Sequence, residues 1–67
     1  MPNFNNVRVG DILKRVHEGI TWNTEVIGVD DAVITCAVMV GDLRSMKFDR
    51  QTGVNVDGKE LGYIELP

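Results

Sequence analysis

Short runs of alternating apolar and polar residues, punctuated by Gly and Asp, set the pattern of this chain. Val7 and Val9 alternate with polar neighbours and lead into Gly10-Asp11. Ile12-Leu13-Lys14-Arg15-Val16 follows, so the Gly-Asp pair reads as a bulge or bend between two strand halves. One helical turn from Asp11 is the competing reading, and so short a helix is weak without support. His17-Glu18-Gly19 is a turn. Ile20 to Val29 places Ile20, Trp22, Thr24 and Val26 on one face, with Ile27 and Val29 following a phase shift at Gly28. Asp30-Asp31 makes a tight connection.

Ala32 to Val40 is the clearest strand. Ile34, Cys36, Val38 and Val40 lie on one side, and Val33, Thr35, Ala37 and Met39 on the other. Two apolar faces suit a central position in a sheet. Gly41-Asp42 turns the chain into Leu43 to Arg50. There Arg44, Met46, Phe48 and Arg50 share a side, and only Met46 and Phe48 suit a core. Leu61 to Leu66 is the last expected strand. Between these two, Asp57-Gly58 has the chemistry of a hairpin tip, because Asp-Gly favours positive φ in a two-residue turn. The 50–60 segment is therefore expected as a protruding hairpin. Its Val54 and Val56 either pack on a neighbouring chain or lie on the surface.

Five short strands separated by Gly/Asp turns predict an all-β fold. Spacing and β-branched content favour a small, partly open SH3-like barrel, one domain over residues 1–67. An OB-type barrel normally needs more residues and an inserted helix.

Length changes the picture next. A 67-residue chain buries only about 60% of the surface that its unfolded form exposes. Small domains usually add disulfides, a metal or oligomerisation. With one Cys and one His, neither a disulfide nor a Cys/His zinc site can form within the chain. A homo-oligomer is the expected remedy. The start, MPNFNN, lacks a signal-peptide pattern, and no apolar run approaches the ~20 residues of a membrane span. The expectation is a cytoplasmic protein, with Cys36 reduced and no membrane partner.

The net charge of −3 is uneven. Arg8, Lys14 and Arg15 against Asp11 make residues 1–16 basic. Glu18, Glu25, Asp30, Asp31 and Asp42 make residues 17–42 wholly acidic, and the remainder balances. Long-range repulsion of polyphosphate argues against nucleic acid as a partner. The acidic stretch reads as solvated turns before it reads as a docking face for a basic partner.

Two motifs are decoys. Gly53 to Lys59 fits G-x-x-x-x-G-K, but Glu60 stands where a phosphate loop needs Ser or Thr for magnesium, and no helix is expected to follow. Aligning Gly58 with the invariant glycine of a calcium loop puts Gly53 at the first ligand position and Ile64 at the twelfth, where a carboxylate is required. No cofactor or metal is expected. Cys36 and His17 are the only nucleophile and base of their kinds, but Cys36 sits in the most apolar strand, where a thiol is core filling. Adjacent Asp30 and Asp31 point to opposite sides of an extended chain and make no dyad. The chain is expected not to be an enzyme.

One ligand constellation can be assembled. Trp22, Phe48 and Tyr63 are the aromatics able to stack a flat ligand. Arg44, Lys47 and Arg50 lie on the strand carrying Phe48 and suit a phosphate or an acidic side chain. The blander reading of Trp22 is a lid over a small barrel.

V-x-V-G-D-I-L-x-R at Val7 to Arg15, with F-D-R-x-T-G-V-N-V-D-G-K-x-x-G-Y-I at Phe48 to Ile64, resembles small phage and prophage-encoded proteins with SH3-like barrels. The resemblance implies a non-enzymatic accessory protein that acts by binding. Its expected target is a host defence protein or a small nucleotide signal of such a system. The alternative is a regulatory SH3-like module that binds protein or nucleic acid. The resemblance transfers no site residue.

Overall fold

The computed structural model describes residues 4–40 and 42–66, and for 38–40 and 42–44 the backbone only. Five antiparallel strands run as β1 (Ile12–His17), β2 (Ile20–Val29), β3 (Val33–Val40), β4 (Asp42–Asp49) and β5 (Tyr63–Glu65). They form one sheet in the order β4-β3-β2-β1-β5, curled as in a small SH3-like barrel.

β1 and β2 form a hairpin from Ile12↔Glu25 to His17↔Ile20. Its two turn residues, Glu18 and Gly19, have φ of 51° and 77°. Two positive φ values in a two-residue loop match the twist of the flanking strands. Ahead of β1, the Gly10 N–H donates to Val26 O at 2.8 Å, and the Val26 N–H donates to Asp11 O at 2.9 Å. Two residues thus face one, with Gly10 at φ 97°, which is a glycine-first bulge. The expected bulge is present, but the strand half before it is not. The Arg8 and Asp11 amides are spent locally, on the Asp11 carboxylate at 2.9 Å and on Arg8 O at 3.1 Å. Residues 7–9 have no ladder left to join.

In β2 the register with β3 passes from Val26↔Cys36 to Gly28↔Thr35, so Ile27 is the extra residue, one place before the expected phase shift. The β2–β3 turn is fixed by Asp30. Its Oδ1 accepts the Ala32 and Val33 amides, each at 2.8 Å. β3 then pairs with β4 from Val33↔Asp49 to Val40↔Asp42. The expected turn residue Gly41 lies outside the described residues.

The 50–60 segment does not protrude as a hairpin. It lies between the two free edges of the sheet, where Phe48 bridges Asn55 and Val54 bridges Tyr63. On the β4 side, the Asp49 N–H donates to Val54 O at 2.8 Å and the Val56 N–H to Lys47 O at 3.1 Å. On the β5 side, the Asn55 N–H donates to Gly62 O at 3.0 Å and the Ile64 N–H to Gly53 O at 2.8 Å. β5 in turn pairs with β1 through Lys14↔Glu65, Arg15↔Ile64 and Val16↔Tyr63. Residues 53–56 are therefore the stave that joins the two edges of the sheet. Exposed sheet edges invite pairing with other chains, and closure removes them along this seam. The physical reason for the difference is Asn55. It is 4% exposed, and its side chain accepts the Asp57 N–H at 2.9 Å, folding the Asp57-Gly58 turn back onto the barrel. The last strand also starts later than expected, because Lys59–Leu61 is a 3-10 turn.

The core takes residues from every strand: Leu13, Val26, Ile34, Cys36, Phe48 and Ile64, with Val29 and Met46 packed against it. Phe4 and Val7 complete it from the N-terminal segment. Arg50 ties that segment down. Its Nη1 donates to Asp30 O at 2.8 Å and its Nη2 to Asn5 O at 2.9 Å.

Candidate binding site

The residues expected to make one ligand patch are dispersed by the fold. Phe48 is wholly buried in the core and has no free face. Lys47 is exposed, and its neighbour Phe48 points inward, so the two lie on opposite sides of β4. The Arg50 guanidinium is engaged with Asp30 and Asn5 at the β2–β3 turn. Arg44 pairs with Val38 in the β3–β4 ladder, and its side chain lies outside the described residues. Trp22 stands opposite Arg15 on β1, whereas Tyr63 stands opposite Val16. Successive residues of a strand face opposite ways. Trp22 and Tyr63, about equally half-exposed, therefore sit on different faces of the sheet and share no patch with Phe48.

The fold gathers a different group at one end of the barrel. Leu13 and Arg15 have the inward parity of β1. Arg15 is flanked across the sheet by Trp22 on β2 and by buried Ile64 on β5. Its Cζ lies 5.0 Å from the Trp22 ring centroid. His17, next in parity on β1, places its ring 6.4 Å from Trp22 at a tilt of 37°. The His17 Nε2 lies 3.9 Å from a Glu18 carboxylate oxygen.

Arg15 is 6% exposed, and its Nε is closed off from solvent with no acceptor. Arg50 Nε is in the same state, but the Arg50 Nη1 and Nη2 are both bonded. Among the described residues the Arg15 guanidinium makes no hydrogen bond or ion pair; Trp22 is its contact. A cation against an aromatic face is worth about 0.5–2 kcal/mol. Leaving the buried Nε–H without an acceptor costs about 1–3 kcal/mol, which the ring contact does no more than balance. The arrangement is a cation held ready, with one aromatic wall and donors to spare. Sequence reasoning passes over Arg15, although its parity with Leu13 marks it as inward-facing.

The other chemical candidates separate. Cys36 is buried on β3, and burial pushes its thiol up to about 11 against a smaller opposite pull from the Thr24 hydroxyl. At neutral pH it is a protonated, poor nucleophile. Among the described residues no group of three or more His, Cys, Asp or Glu side chains is placed to hold a metal ion. No helix among them is long and apolar enough to cross a membrane.

Comparison of the chain with protein-family models, with curated proteins and with solved structures gave no match.

Proposed function

We propose that this protein is a non-enzymatic binding module whose contact surface is the Arg15–Trp22 end of the barrel. The observation that carries the reading is the pairing of a half-exposed Trp22 with a buried, acceptor-free Arg15. Trp and Arg are the side chains that most often dominate binding energy at interfaces. The protonated, buried Cys36 favours binding over thiol chemistry.

The resemblance to small phage proteins gives this module a biological setting. In that setting it is an accessory protein in the cytoplasm of an infected bacterium. It antagonises a host defence system by stoichiometric capture of a defence protein or of its nucleotide signal. A homo-oligomer suits so small a barrel, which exposes Ile12, Ile20, Ile27 and Val56.

The test is a plating assay. Expression in bacteria carrying an active phage-defence system is expected to restore plaques of a phage which that system restricts. Trp22→Ala is expected to remove the rescue at unchanged protein level. Equal plating with and without the protein, across representative defence systems, contradicts the host-antagonist reading.

A further inference from the structure

We infer that the Arg15 guanidinium is the receptor for a carboxylate, brought by whatever occupies the Trp22 end of the barrel. The inference rests on the binding-module reading and names the chemical class of its ligand.

The argument starts from an imbalance of donors. Arg15 carries five N–H donors and a fixed positive charge. The Trp22 ring lies against it, and register and parity set Leu13 and His17 beside it on β1 and Ile64 across from it on β5. None of them supplies an anionic oxygen. Of the three guanidinium nitrogens only Nε is both shut off from solvent and unpaired, so Nη1 and Nη2 are the end that a ligand can reach. That end presents parallel N–H groups, which match the two oxygens of a planar carboxylate.

Charge selects among anions. The chain carries a net −3, and the Glu18 carboxylate stands beside His17 at the same end of the barrel. A dianionic phosphate meets twice the attraction of Arg15 but also about twice the repulsion from these groups, and it leaves one negative charge unbalanced. A carboxylate brings one negative charge, enough to balance Arg15 alone. Trp22 borders the site and offers apolar surface to the carbon skeleton that carries the carboxylate. An acidic side chain of a protein and a free small carboxylate share this chemistry.

The experiment is a titration of the intact, isotope-labelled protein followed by NMR at the Arg15 Nε–H and the Trp22 indole N–H. The probes are sodium acetate, inorganic phosphate and a short blocked peptide containing one Glu, each against sodium chloride at matched ionic strength. Acetate is expected to shift the Arg15 signal to saturation with a midpoint on the order of 10 mM. Phosphate is expected to bind several-fold more weakly. A peptide midpoint tenfold below that of acetate assigns the carboxylate to a protein, and equal midpoints assign it to a small molecule. Arg15→Lys, which keeps the charge and loses the fork, is expected to weaken acetate at least tenfold. Arg15→Met supplies a second null variant, and removal of the unpaired charge favours its folding. Acetate shifts that track sodium chloride without saturating overturn the inference, as does phosphate binding tighter than acetate. Failure here combined with a Trp22-dependent rescue of plating removes the carboxylate and leaves the binding module standing. Saturation by acetate without such rescue keeps the carboxylate site and removes the host-antagonist reading.

Discussion

The ring of Phe4 lies against the backbone of Gly53. A Cβ at Gly53 would stand 2.9 Å from two atoms of that ring and 2.8 Å from Ile64 O. This contact joins the N-terminal segment to the stave that closes the barrel. Gly53 also has φ 79°, so a side chain there meets both crowding and backbone strain. Gly53→Ala is expected to lower stability by about 1–3 kcal/mol. Phe4→Ala empties a core site and is expected to cost about 3–5 kcal/mol. Urea denaturation read by Trp22 fluorescence checks both; wild-type midpoints in either variant refute the contact.

Asn55 closes the seam through its side chain as well as its backbone. Its carbonyl oxygen accepts the Asp57 N–H, and its Nδ2 lies 3.7 Å from the Met46 sulfur. Asn55→Ala removes the acceptor of the Asp57 N–H and is expected to cost about 1 kcal/mol. Hydrogen exchange is expected to accelerate first at the amides of Asp49, Val56 and Ile64, which bond across the seam. Acceleration spread evenly over β1 to β3 as well contradicts a local role.

Asp30 gives stability a pH dependence of known sign. The Ala32 and Val33 amides that it accepts hold its carboxyl below the ordinary value of 3.8, with smaller help from Lys47 and Arg50. A folded pKa below the unfolded one means that stability is fully present above pH 3.8 and is lost as pH falls through the folded pKa. Asp30→Asn keeps the acceptor oxygen and removes the charge. Its Tm is expected below wild type at pH 7, with the difference closing as pH falls below 3.8 and through the folded pKa. A difference that stays constant as pH is taken from 7 to well below 3.8 contradicts the charge argument.

Cys36 is expected to be inert in the folded protein. Its thiol is buried and raised to about 11. A thiol-specific chromogenic reagent at pH 8, close to the pKa of a free cysteine of about 8.5, is expected to react only as fast as the chain opens. Urea is expected to raise the rate in step with the unfolded fraction. A fast, urea-independent reaction contradicts the placement of Cys36 in the core.

Much of the sheet is legible along the chain because its signals are local. β3 is a near-continuous apolar run, a turn is legible at His17-Glu18-Gly19 although His17 itself ends β1, and Gly10-Asp11 marks a bulge that the hydrogen bonds confirm. What escapes such a reading depends on distant partners. Phe4 sits alone among polar residues, and only its contact with Gly53 puts it inside. Val54 and Val56 suggest an apolar arm, yet the inward residue is the Asn55 between them, on a stave too short for alternation to declare itself. The ligand constellation fails for a related reason. Basic and aromatic residues on neighbouring strands converge only when register and parity agree, and Arg15↔Trp22 agrees where Trp22 and Tyr63 do not. Arg15 is hidden by the rule that charges lie outside, which its parity with Leu13 overrides.

The central claim is that the Arg15–Trp22 end of the barrel binds a partner in fixed proportion. Native mass spectrometry tests it most directly, on wild type and Trp22→Ala repurified from clarified bacterial lysate. The account predicts one discrete added mass per subunit or per assembly on the wild type and none on Trp22→Ala, with the oligomeric state read from the same spectrum. A bare wild-type protein, or an added mass that Trp22→Ala retains in full, contradicts it.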